Sequence, residues 1–473
     1  MIRSSRSLTL VPLLAAALRL VAQPGALDPT FLPIDVSTGQ LSGFDGLVQV
    51  LVGCPDGKVL AGGNFTHCNG VERNGVARLN ADGTLDLAFD PGFGANGMVW
   101  CMALQPDGRV LVGGGFTYFD GAPAKRLVRL NTDGSVDTDF SVGGGFNHDV
   151  FSVAVQEDGR VLAGGDFNQY MGEPHGRLLR LEDDGTLDAS FDPGTCLGGS
   201  VNAMAVQPDG RILIGGNFSE VQGQSISAVA RLHPGGELDA SFSPPVWSFS
   251  MVTAIALHAD GAVAVGGMIP NGVVRLQPDG HPDPGFNTNG PGLGGWAPMV
   301  NSLAALPDGG ILVAGRFNAY NGVPCGNVVK VAPNGAADPT FNTGSGADGE
   351  VFALATTPNG QALIGGLFDH VDQQPRPRIA RLLLTDLSTG LPGLATTELE
   401  AWPNPTEGMV NLRWEGAPPM SAELVSMDGR VLNRLAPAMS GLAQLELSAL
   451  PAGHYAVRYL AAGMPRTLRI IRR

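Results

Sequence analysis

Hydrophobic and polar positions alternate along short stretches of this chain, and the whole arrangement recurs at a fixed interval. A turn motif that contains glycine occurs seven times, with five of the six intervals equal to 51 residues and the other equal to 48. The seven glycines are Gly57, Gly108, Gly159, Gly210, Gly261, Gly309 and Gly360. Internal repeats of this length are typical of solenoids and propellers. A residue that recurs once per repeat serves first to build the repeat, which weakens a catalytic interpretation of it.

Residues 201–242 represent one repeat. Period-two alternation predicts strands over residues 201–207, 211–216 and 228–232, and a short fourth strand over 238–242. The first strand opens with valine in all seven copies and has alanine or valine at its fifth position, which suits the crowded axis of a propeller. The predicted fold class is therefore all-β: a seven-bladed β-propeller, followed by a small immunoglobulin-like β-sandwich.

A motif of the form Leu-Asp-x-x-Phe predicts how the ring closes. Six repeats end in a version of this motif, but the seventh repeat has none after it. A spare copy, Leu27-Asp28-Pro29-Thr30-Phe31, lies near the N-terminus. We expect this segment to complete the last blade, because a shared blade leaves no half-built sheet edge.

The repeat resembles the delta-60 repeat family of bacterial β-propellers. The resemblance rests on Leu-Asp-x-x-Phe, on Val-x-Ala-x-Ala-x-Gln-Pro-Asp-Gly-Arg-Ile-Leu-Ile-Gly-Gly-Asn-Phe, and on Ala-Arg-Leu, recurring over about residues 25–385. We assign the propeller to residues 24–384. The resemblance implies the fold but not a function, since the activity of the family is largely undefined. Repeat five departs from the pattern, because residues 266–272 replace its long loop, and we expect a shallower surface there.

A different pattern follows a linker at residues 385–397. Residues 398–473 alternate over short strands, as in an immunoglobulin-like sandwich, and resemble the type A sorting domain of the type IX secretion system. The motifs that carry this resemblance are Pro403-Asn404-Pro405, Asp428-Gly429-Arg430-Val431, Leu450-Pro451-Ala452-Gly453-His454-Tyr455 and the basic end at residues 469–473. The resemblance implies a Bacteroidetes-type cell and export by the type IX machinery. An ordinary immunoglobulin-like accessory domain is the alternative.

Charge, the N-terminal segment and the cysteines limit the possible partners and the cellular location of the protein. A net charge of −15 argues against binding to nucleic acid. Residues 1–23 read as a secretory signal peptide, with arginines before an apolar stretch too short for an anchor, and no later segment predicts a transmembrane anchor. The expected location is secreted or on the outer-membrane surface. The five cysteines favour separate buried positions, although Cys54 could pair with Cys68 or Cys101.

The loop lengths place any ligand site on one face. Long loops join the second and third strands and join consecutive blades, and alternate connections of an up-and-down sheet emerge at the same end. Aromatic residues and a histidine in these loops are the ligand-binding candidates, either as contacts or as side chains folded inward. They are Phe93, Phe146, His148, Trp247 and Trp296 between blades, and Tyr118, Tyr170 and Tyr320 between second and third strands.

Two functional classes compete. A non-catalytic propeller that binds an unknown glycan or protein is favoured, because the chain has no catalytic motif such as G-x-S-x-G or H-E-x-x-H. A glycan lyase or hydrolase acting at the axial pocket is the alternative. No cofactor is expected. Asn80-Ala81-Asp82-Gly83 looks like the start of a calcium loop, but a hairpin turn explains it more simply. Trp247 and Trp296 flank the shortened fifth repeat and are the favoured anchors, unless each fills the gap that the missing loop leaves.

Overall fold

The structure is a computed structural model in which the chain divides into two compact units, Met1–Thr385 and Asp386–Arg473. The first is described over residues 23–35, 40–194, 198–247, 250–288, 290–357 and 359–384. The second is described at residues 400–402, 406, 409–413, 422–426, 431–435, 442–451, 453–461 and 464–472. The predicted signal peptide and linker lie outside these ranges, except for Gln23. No helix able to cross a membrane occurs in the described residues.

In the described part of the first unit, each sequence repeat forms one main antiparallel sheet of three strands, and we number these seven sheets blades 1 to 7 in chain order. The first strands are Leu47–Gly53, Val99–Leu104, Val150–Val155, Val201–Val206, Met251–Leu257, Met299–Ala305 and Val351–Thr356. The second strands are Val59–Asn64, Val110–Gly114, Val161–Gly165, Ile212–Gly216, Val263–Met268, Ile311–Arg316 and Gln361–Gly366. The third strands are Val76–Leu79, Leu127–Leu130, Leu178–Leu181, Val229–Leu232, Val273–Leu276, Val328–Val331 and Ile379–Leu383.

The first strands form the inner ring. Each first strand contacts the first strand of the next blade, and that of blade 7 contacts that of blade 1, so the contacts close a circle. Every first strand also carries a β-bulge at the residue that follows its recurring valine. The propeller architecture predicted from the repeats is therefore confirmed.

Valine and glycine set the distance between neighbouring blades. A Cβ built on Gly215 at the end of one second strand would lie 2.4 Å from Cγ1 of Val252 in the next blade. The same contact closes the ring, because a Cβ on Gly365 in blade 7 would lie 2.6 Å from Cγ1 of Val48 in blade 1. These distances are too short for a side chain. The valine and glycine that recur in the sequence are thus two halves of one packing contact.

An arginine, an aspartate and a phenylalanine form the second recurring contact. In blade 4, Arg231 Nε donates to Asp239 Oδ2 at 2.7 Å, and its guanidinium carbon lies 4.7 Å from the ring centre of Phe242. Arg231 also donates to the backbone oxygen of Pro278 in blade 5 at 2.6 Å. Burial alone raises the pKa of Asp239, but hydrogen bonds from Ser241 and Arg231 outweigh it and lower the pKa to about 2. The carboxylate is therefore ionised at neutral pH.

The prediction of a fourth strand is wrong, because the segment does not form a strand. The Leu-Asp-x-x-Phe segment makes a single bridge to the third strand, such as Leu232 to Leu238, and then turns. The turn forms because Asp239 Oδ1 accepts the backbone N–H of Ser241 at 3.0 Å, and Phe242 N–H donates to the Asp239 carbonyl at 3.1 Å. The aspartate thus directs the backbone with one oxygen and binds the arginine with the other.

The N-terminal segment supplies the missing motif of blade 7. Leu27 bridges Leu382, and Asp28 accepts from Arg381 Nε at 2.9 Å, while the Arg381 guanidinium carbon lies 4.9 Å from the ring centre of Phe31. The Arg381 guanidinium also donates to the backbone oxygen of Ala81 in blade 1. The segment therefore joins the two ends of the propeller chain, as the spare motif suggested.

Two-residue strand pairs lie outside the main sheets. In blades 1, 2, 3, 6 and 7 the loop between second and third strands forms a short hairpin. These hairpins pair His67–Cys68 with Val71–Glu72, Tyr118–Phe119 with Ala122–Pro123, Gln169–Tyr170 with Glu173–Pro174, Ala319–Tyr320 with Val323–Pro324, and His370–Val371 with Gln374–Pro375. Leu293–Gly294 adds to the hairpin of blade 6, and Ile34–Asp35 pairs with Gln40–Leu41.

The second unit contains two antiparallel sheets in its described residues. The strand order in one sheet is Glu400–Trp402, Met409–Arg413 and Leu442–Glu446. The strand order in the other is Val431–Leu435, Ala422–Ser426, Gly453–Ala461 and Met464–Arg472. Buried Val410 and Leu412 of the first sheet pack in one core with Leu424 and Val457 of the second. Two sheets around a shared core agree with a sandwich, and the immunoglobulin-like topology stays a prediction.

We predict that Asp28→Ala opens the propeller at its closure. The substitution leaves Arg381, whose side chain is 7% exposed, without its carboxylate, and removing one partner of a buried ion pair costs about 3–5 kcal/mol. Thermal unfolding should begin earlier, and limited proteolysis should cut within residues 23–35. Asp209→Ala is the matched control, since its carboxylate is 53% exposed and 3.6 Å from Arg211. Equal melting of both variants would contradict the closure.

Candidate functional site

The two sets of long loops meet on one side of the blades. The loop that enters a blade bridges to the hairpin of the same blade through Phe44 and Cys68, Ala95 and Phe119, Phe146 and Tyr170, and Ala347 and Val371. In blade 6 the same pairing is a short strand, Leu293–Gly294, against Ala319–Tyr320. These loops therefore form a continuous surface at the end of the strands opposite to the Asp-Gly turns, and we call it the long-loop face.

A recurring Asp or Asn holds the entering loop to the hairpin in blades 1, 2, 3 and 7. Asn96 Oδ1 accepts the backbone N–H groups of Thr117 at 2.8 Å and Tyr118 at 2.9 Å. In blade 1, Asp45 Oδ1 accepts from Thr66 at 2.8 Å and His67 at 2.9 Å. Asn147 and Asp348 do the same in blades 3 and 7. The side chains that follow, such as Tyr118, are thus presented by a fixed backbone rather than by a free loop.

A cavity of about 520 Å³ opens on this face between blades 1 and 2. Phe93 is 75% exposed and Tyr118 is 49% exposed, and both residues line the cavity. Asn64, Asn74 and Asn96 line it as well. Exposed aromatic faces beside side-chain amides offer both an apolar platform and hydrogen-bonding groups to a ligand.

The Phe93 backbone is held on both sides. Its N–H donates to Asp120 Oδ1 at 2.9 Å, and its carbonyl accepts from Asn74 Nδ2 at 3.1 Å. Asp120 belongs to the hairpin of blade 2, and Asn74 precedes the third strand of blade 1. The exposed ring is therefore positioned by two neighbouring blades, which reduces the ordering that a ligand would have to impose.

Three of the predicted ligand contacts are buried, and we correct their assignment. Phe146 is 2% exposed, Tyr170 is 1% exposed and Tyr320 is fully buried. Phe146 packs on Tyr170 with ring centres 5.0 Å apart, while the Tyr170 and Tyr320 hydroxyls donate to the carbonyls of Gly185 and Gly335 at 3.1 and 3.0 Å. The repeat contains a signal that the two tyrosine positions are buried. Cys68, Phe119, Val221 and Val371 are the equivalents of the two tyrosines and are also buried.

The two tryptophans have different environments. Trp247 is 9% exposed and packs with Val229, Phe242 and Ile269 in the core shared by blades 4 and 5. It fills space beside the shortened loop of blade 5, so the anchor role expected for it is replaced by a packing role. Trp296 is 90% exposed, and His148 is also exposed. Both remain candidates for ligand contact.

Two acidic residues at the start of first strands bear on the enzymatic alternative. Asp149 accepts from Trp100 Nε1 at 3.0 Å and lies 3.3 Å from the Arg126 guanidinium. Glu350 accepts from Asn301 Nδ2 at 2.9 Å and lies 3.8 Å from Arg316. Blades 3 and 7 are not neighbours in the ring, and each carboxylate has its own arginine. The arginine beside each carboxylate belongs to the preceding blade, Arg126 to blade 2 and Arg316 to blade 6.

The described ranges also show where the possible metal ligands and the cysteines lie. No group of three or more His, Cys, Asp or Glu side chains is placed there to hold a metal. The calcium-like motif is a hairpin turn, in which Asp82 Oδ1 accepts the N–H of Thr84 at 3.0 Å. The four cysteines within those ranges form no disulfide, and Cys54, Cys68 and Cys101 are buried; Cys196 lies outside them.

Of the predicted sorting-motif residues, the structure describes Gly453 and Tyr455. Tyr455 is buried, and its hydroxyl donates to the Pro451 carbonyl at 2.6 Å, which ties the start of a long strand to the turn before it. Gly453 begins that strand. Pro403, Asn404, Pro405, Asp428, Gly429 and Arg430 lie outside the described residues.

The geometry defines a class: an all-β propeller joined to a separate C-terminal β module. The model of the family described as "Domain of unknown function (DUF5122) beta-propeller" matches residues 54–89, 105–140, 156–191, 207–242, 306–341 and 357–388. The model described as "Secretion system C-terminal sorting domain" matches residues 400–471. The chain thus contains a DUF5122 β-propeller repeat domain and a C-terminal type IX sorting domain, and the sorting domain indicates export to the cell surface or secretion. The shortened fifth repeat is absent from the matched ranges.

Solved structures with a similar fold come from several bacteria. PorZ, a surface component of the type IX secretion system of Porphyromonas gingivalis, is 11% identical with a TM-score of 0.34; the alignment covers 88% of this chain and 64% of PorZ. Virginiamycin B lyase from Staphylococcus aureus is 15% identical with a TM-score of 0.46, over 73% and 97%. A protein of unknown function from Bacteroides caccae is 14% identical with a TM-score of 0.33, over 53% and 89%.

This chain thus spans about two thirds of the length of PorZ. No curated protein matches it. These scores and identities carry no information on function.

The two tryptophans provide a test of burial against exposure. We predict that Trp247→Ala lowers the free energy of unfolding by about 3–5 kcal/mol, because it empties a packed site, whereas Trp296→Ala changes it by less than about 0.5 kcal/mol. Urea unfolding followed by circular dichroism measures both. Similar midpoints for the two variants would show that Trp247 does not fill the core.

Proposed function

We propose that the propeller is a non-catalytic binding module, carried to the cell surface or released by its sorting domain, and that it binds glycan at the cavity between blades 1 and 2. The observation that carries the proposal is the pair of exposed rings, Phe93 and Tyr118, beside the side-chain amides of Asn64, Asn74 and Asn96. A sugar ring has apolar C–H faces and hydroxyl edges, so it matches an aromatic platform bordered by amides.

The position of the cavity supports the same function. Loops on a rigid repeated scaffold vary without disturbing the strands, and such loops usually hold the binding residues. Phe93 and Tyr118 do not recur in the other repeats, whereas the Asp or Asn that pins the hairpin does. Residues that depart from the repeat on a surface that the repeat holds rigid are the ones available for recognition.

A protein ligand or a glycan lyase or hydrolase activity would be the competing outcomes. A lyase or hydrolase at the axial pocket requires convergent carboxylates or a histidine with a shifted pKa. Asp149 and Glu350 instead each pair with an arginine of the preceding blade. The arrangement of these two residues therefore favours binding over catalysis.

We predict that Phe93→Ala and Tyr118→Ala each weaken glycan binding by about fivefold or more, since truncating an aromatic anchor costs more than about 1 kcal/mol. The full mature chain would be screened on a glycan array, and hits would be measured by calorimetry. Trp296→Ala is the control, as an exposed aromatic in another inter-blade loop. Unchanged melting temperatures would separate lost contact from lost folding.

Three results would oppose this assignment. Binding that survives both Phe93→Ala and Tyr118→Ala would place the glycan elsewhere. Loss of binding only in Trp296→Ala would move the site to blade 6. Binding to protein arrays alone, with no glycan hit, would identify a protein ligand instead.

We predict that residues 398–473, fused behind a reporter with its own signal peptide, direct the reporter out of a cell that has type IX export. The expected readout is reporter activity in the medium or on protease-accessible cells. A fusion lacking Met464–Arg472 is the control, because that strand pairs along the whole of Gly453–Ala461 and its loss exposes a sheet edge. Retention of the intact fusion in the periplasm would refute an export role.

A further inference from the structure

Two positions of the repeat form the aromatic pair between blades 1 and 2, and the neighbouring blades carry polar residues at the same positions. In blade 2 the two positions are Phe93 in the entering loop and Tyr118 in the hairpin. We call them the loop pair. Counted from the same bridges, the loop pair is Ser42 and His67 in blade 1, and Ser345 and His370 in blade 7. Blades 7, 1 and 2 are consecutive in the ring.

One backbone hydrogen bond sets the spacing of these three loop pairs. The Ala95 N–H in blade 2 donates to the Asn74 carbonyl in blade 1 at 3.0 Å. The equivalent Phe44 N–H in blade 1 donates to the Pro377 carbonyl in blade 7 at 3.3 Å. Sheets packed face to face lie roughly 10 Å apart, so the three loop pairs span roughly 20 Å or more. The surface thus repeats at one interval, as the units of a polymer do.

The loop pair of blade 7 lines a cavity of its own. The cavity has a volume of about 430 Å³, and its lining is Ser345, Gly346, Asp348, His370 and Gln373. The Ser345 N–H donates to Asp372 Oδ1 at 3.1 Å, as the Phe93 N–H does to the aspartate of its own hairpin. The serine is therefore fixed to its hairpin in the same way as the phenylalanine.

An aspartate orients each histidine of the loop pairs. His67 Nδ1 lies 3.0 Å from Asp45 Oδ2. His370 Nδ1 lies 2.8 Å from Asp348 Oδ2. Burial alone raises the pKa of Asp45, but hydrogen bonds from Thr66 and His67 outweigh it and lower the pKa to about 2. An ionised carboxylate only accepts hydrogen bonds, so Nδ1 carries the hydrogen and Nε2 of the neutral ring is an acceptor.

Aspartate and histidine occur together at these positions of the repeat. Blades 2 and 3 have Asn96 and Asn147 in place of the aspartate, and Tyr118 and Gln169 in place of the histidine. The two asparagines accept the backbone N–H groups of their hairpins just as the aspartates do. Fixing the hairpin therefore does not require a carboxylate. The carboxylate in blades 1 and 7 serves to orient the imidazole.

The charge along these three blades disfavours an anionic ligand. Their entering loops and hairpins, at residues 342–350, 366–378, 40–46, 64–75, 90–98 and 115–126, contain eight acidic and five basic residues. Two of the basic residues, Arg73 and Arg376, are buried. Asp45 and Asp348 are 42% and 49% exposed beside their histidines. A carboxylated or sulfated sugar would be repelled here, whereas the hydroxyl groups of an uncharged sugar can donate to the imidazoles.

We propose that the ligand of the long-loop face is an extended, uncharged polysaccharide that crosses blades 2, 1 and 7. Its sugar rings would stack on Phe93 and Tyr118 in blade 2. Its hydroxyl groups would donate to Nε2 of His67 in blade 1 and of His370 in blade 7. The aromatic cavity reaches Thr66, the residue before His67, so the path is continuous from blade 2 to blade 1. This ligand class depends on the glycan-binding function proposed above and narrows it to a neutral chain of several units.

The test measures affinity against chain length by calorimetry, with the full mature chain and with cello-, manno- and laminari-oligosaccharides. A hexasaccharide should bind at least tenfold more tightly than the disaccharide of the same series, because a disaccharide is too short to reach from blade 2 to blade 7. His67→Ala and His370→Ala should each weaken hexasaccharide binding about threefold to tenfold, as expected for one hydrogen bond. Disaccharide binding should not change. Both side chains are about half exposed, so the melting temperatures should stay the same.

Gln169→Ala is the matched control. Gln169 is exposed at the same hairpin position in blade 3, which lies on the other side of blade 2. Its substitution should leave both affinities unchanged, and a loss equal to that of the histidine variants would contradict the path across blades 1 and 7. Unaltered hexasaccharide binding in both histidine variants would also overturn the proposal, as would equally tight binding of a hexameric oligogalacturonate.

Two further outcomes separate this proposal from the function on which it depends. Equal affinities for disaccharide and hexasaccharide, both lost in Phe93→Ala, would overturn the extended path and keep the glycan site between blades 1 and 2. No binding of any oligosaccharide or array glycan would refute the glycan-binding function itself, and the extended path with it.

Discussion

The contact among an arginine, an aspartate and a phenylalanine holds neighbouring blades together. One guanidinium binds the carboxylate of its own blade, stacks on the phenylalanine and donates to a backbone carbonyl of the next blade. Arg129, Arg180 and Arg231 all do this, with the inter-blade bond at 2.6 Å in each case. An arginine can make all three contacts because its planar guanidinium has several fixed donors and an apolar face.

The contact varies around the ring. In blade 5, Arg275 lies 3.7 Å from Asp283 and binds Asp260 instead, and in blade 6 a lysine, Lys330, takes the arginine position. A lysine cannot reproduce the planar stacking. Blade 5 is also the blade with the shortened loop. The repeat is therefore least regular in blade 5.

The same repeated contacts explain how the two faces can differ. Valine against glycine, and arginine against aspartate, determine the spacing of blades through side chains inside the ring. The residues of the loops and turns are then free to vary from blade to blade. Phe93 and Tyr118 are departures from the repeat on a backbone that the repeat fixes. A rigid backbone with variable side chains is the arrangement in which binding requires little reorganisation.

The repeat interval, the turn glycines and the spare Leu-Asp-x-x-Phe motif determined the all-β propeller and its closure from the sequence alone, because each is a local pattern that recurs. The sequence also indicated the long-loop face, since the order of long and short connections decides it. Only the tertiary structure showed that Phe146, Tyr170, Tyr320 and Trp247 are buried while Phe93, Tyr118 and Trp296 are exposed. An aromatic in a loop has the same local pattern in both cases, and its burial depends on residues about 20 positions away. The backbone carbonyl that each repeated arginine reaches in the next blade likewise lies about 50 residues away, outside any single stretch of sequence.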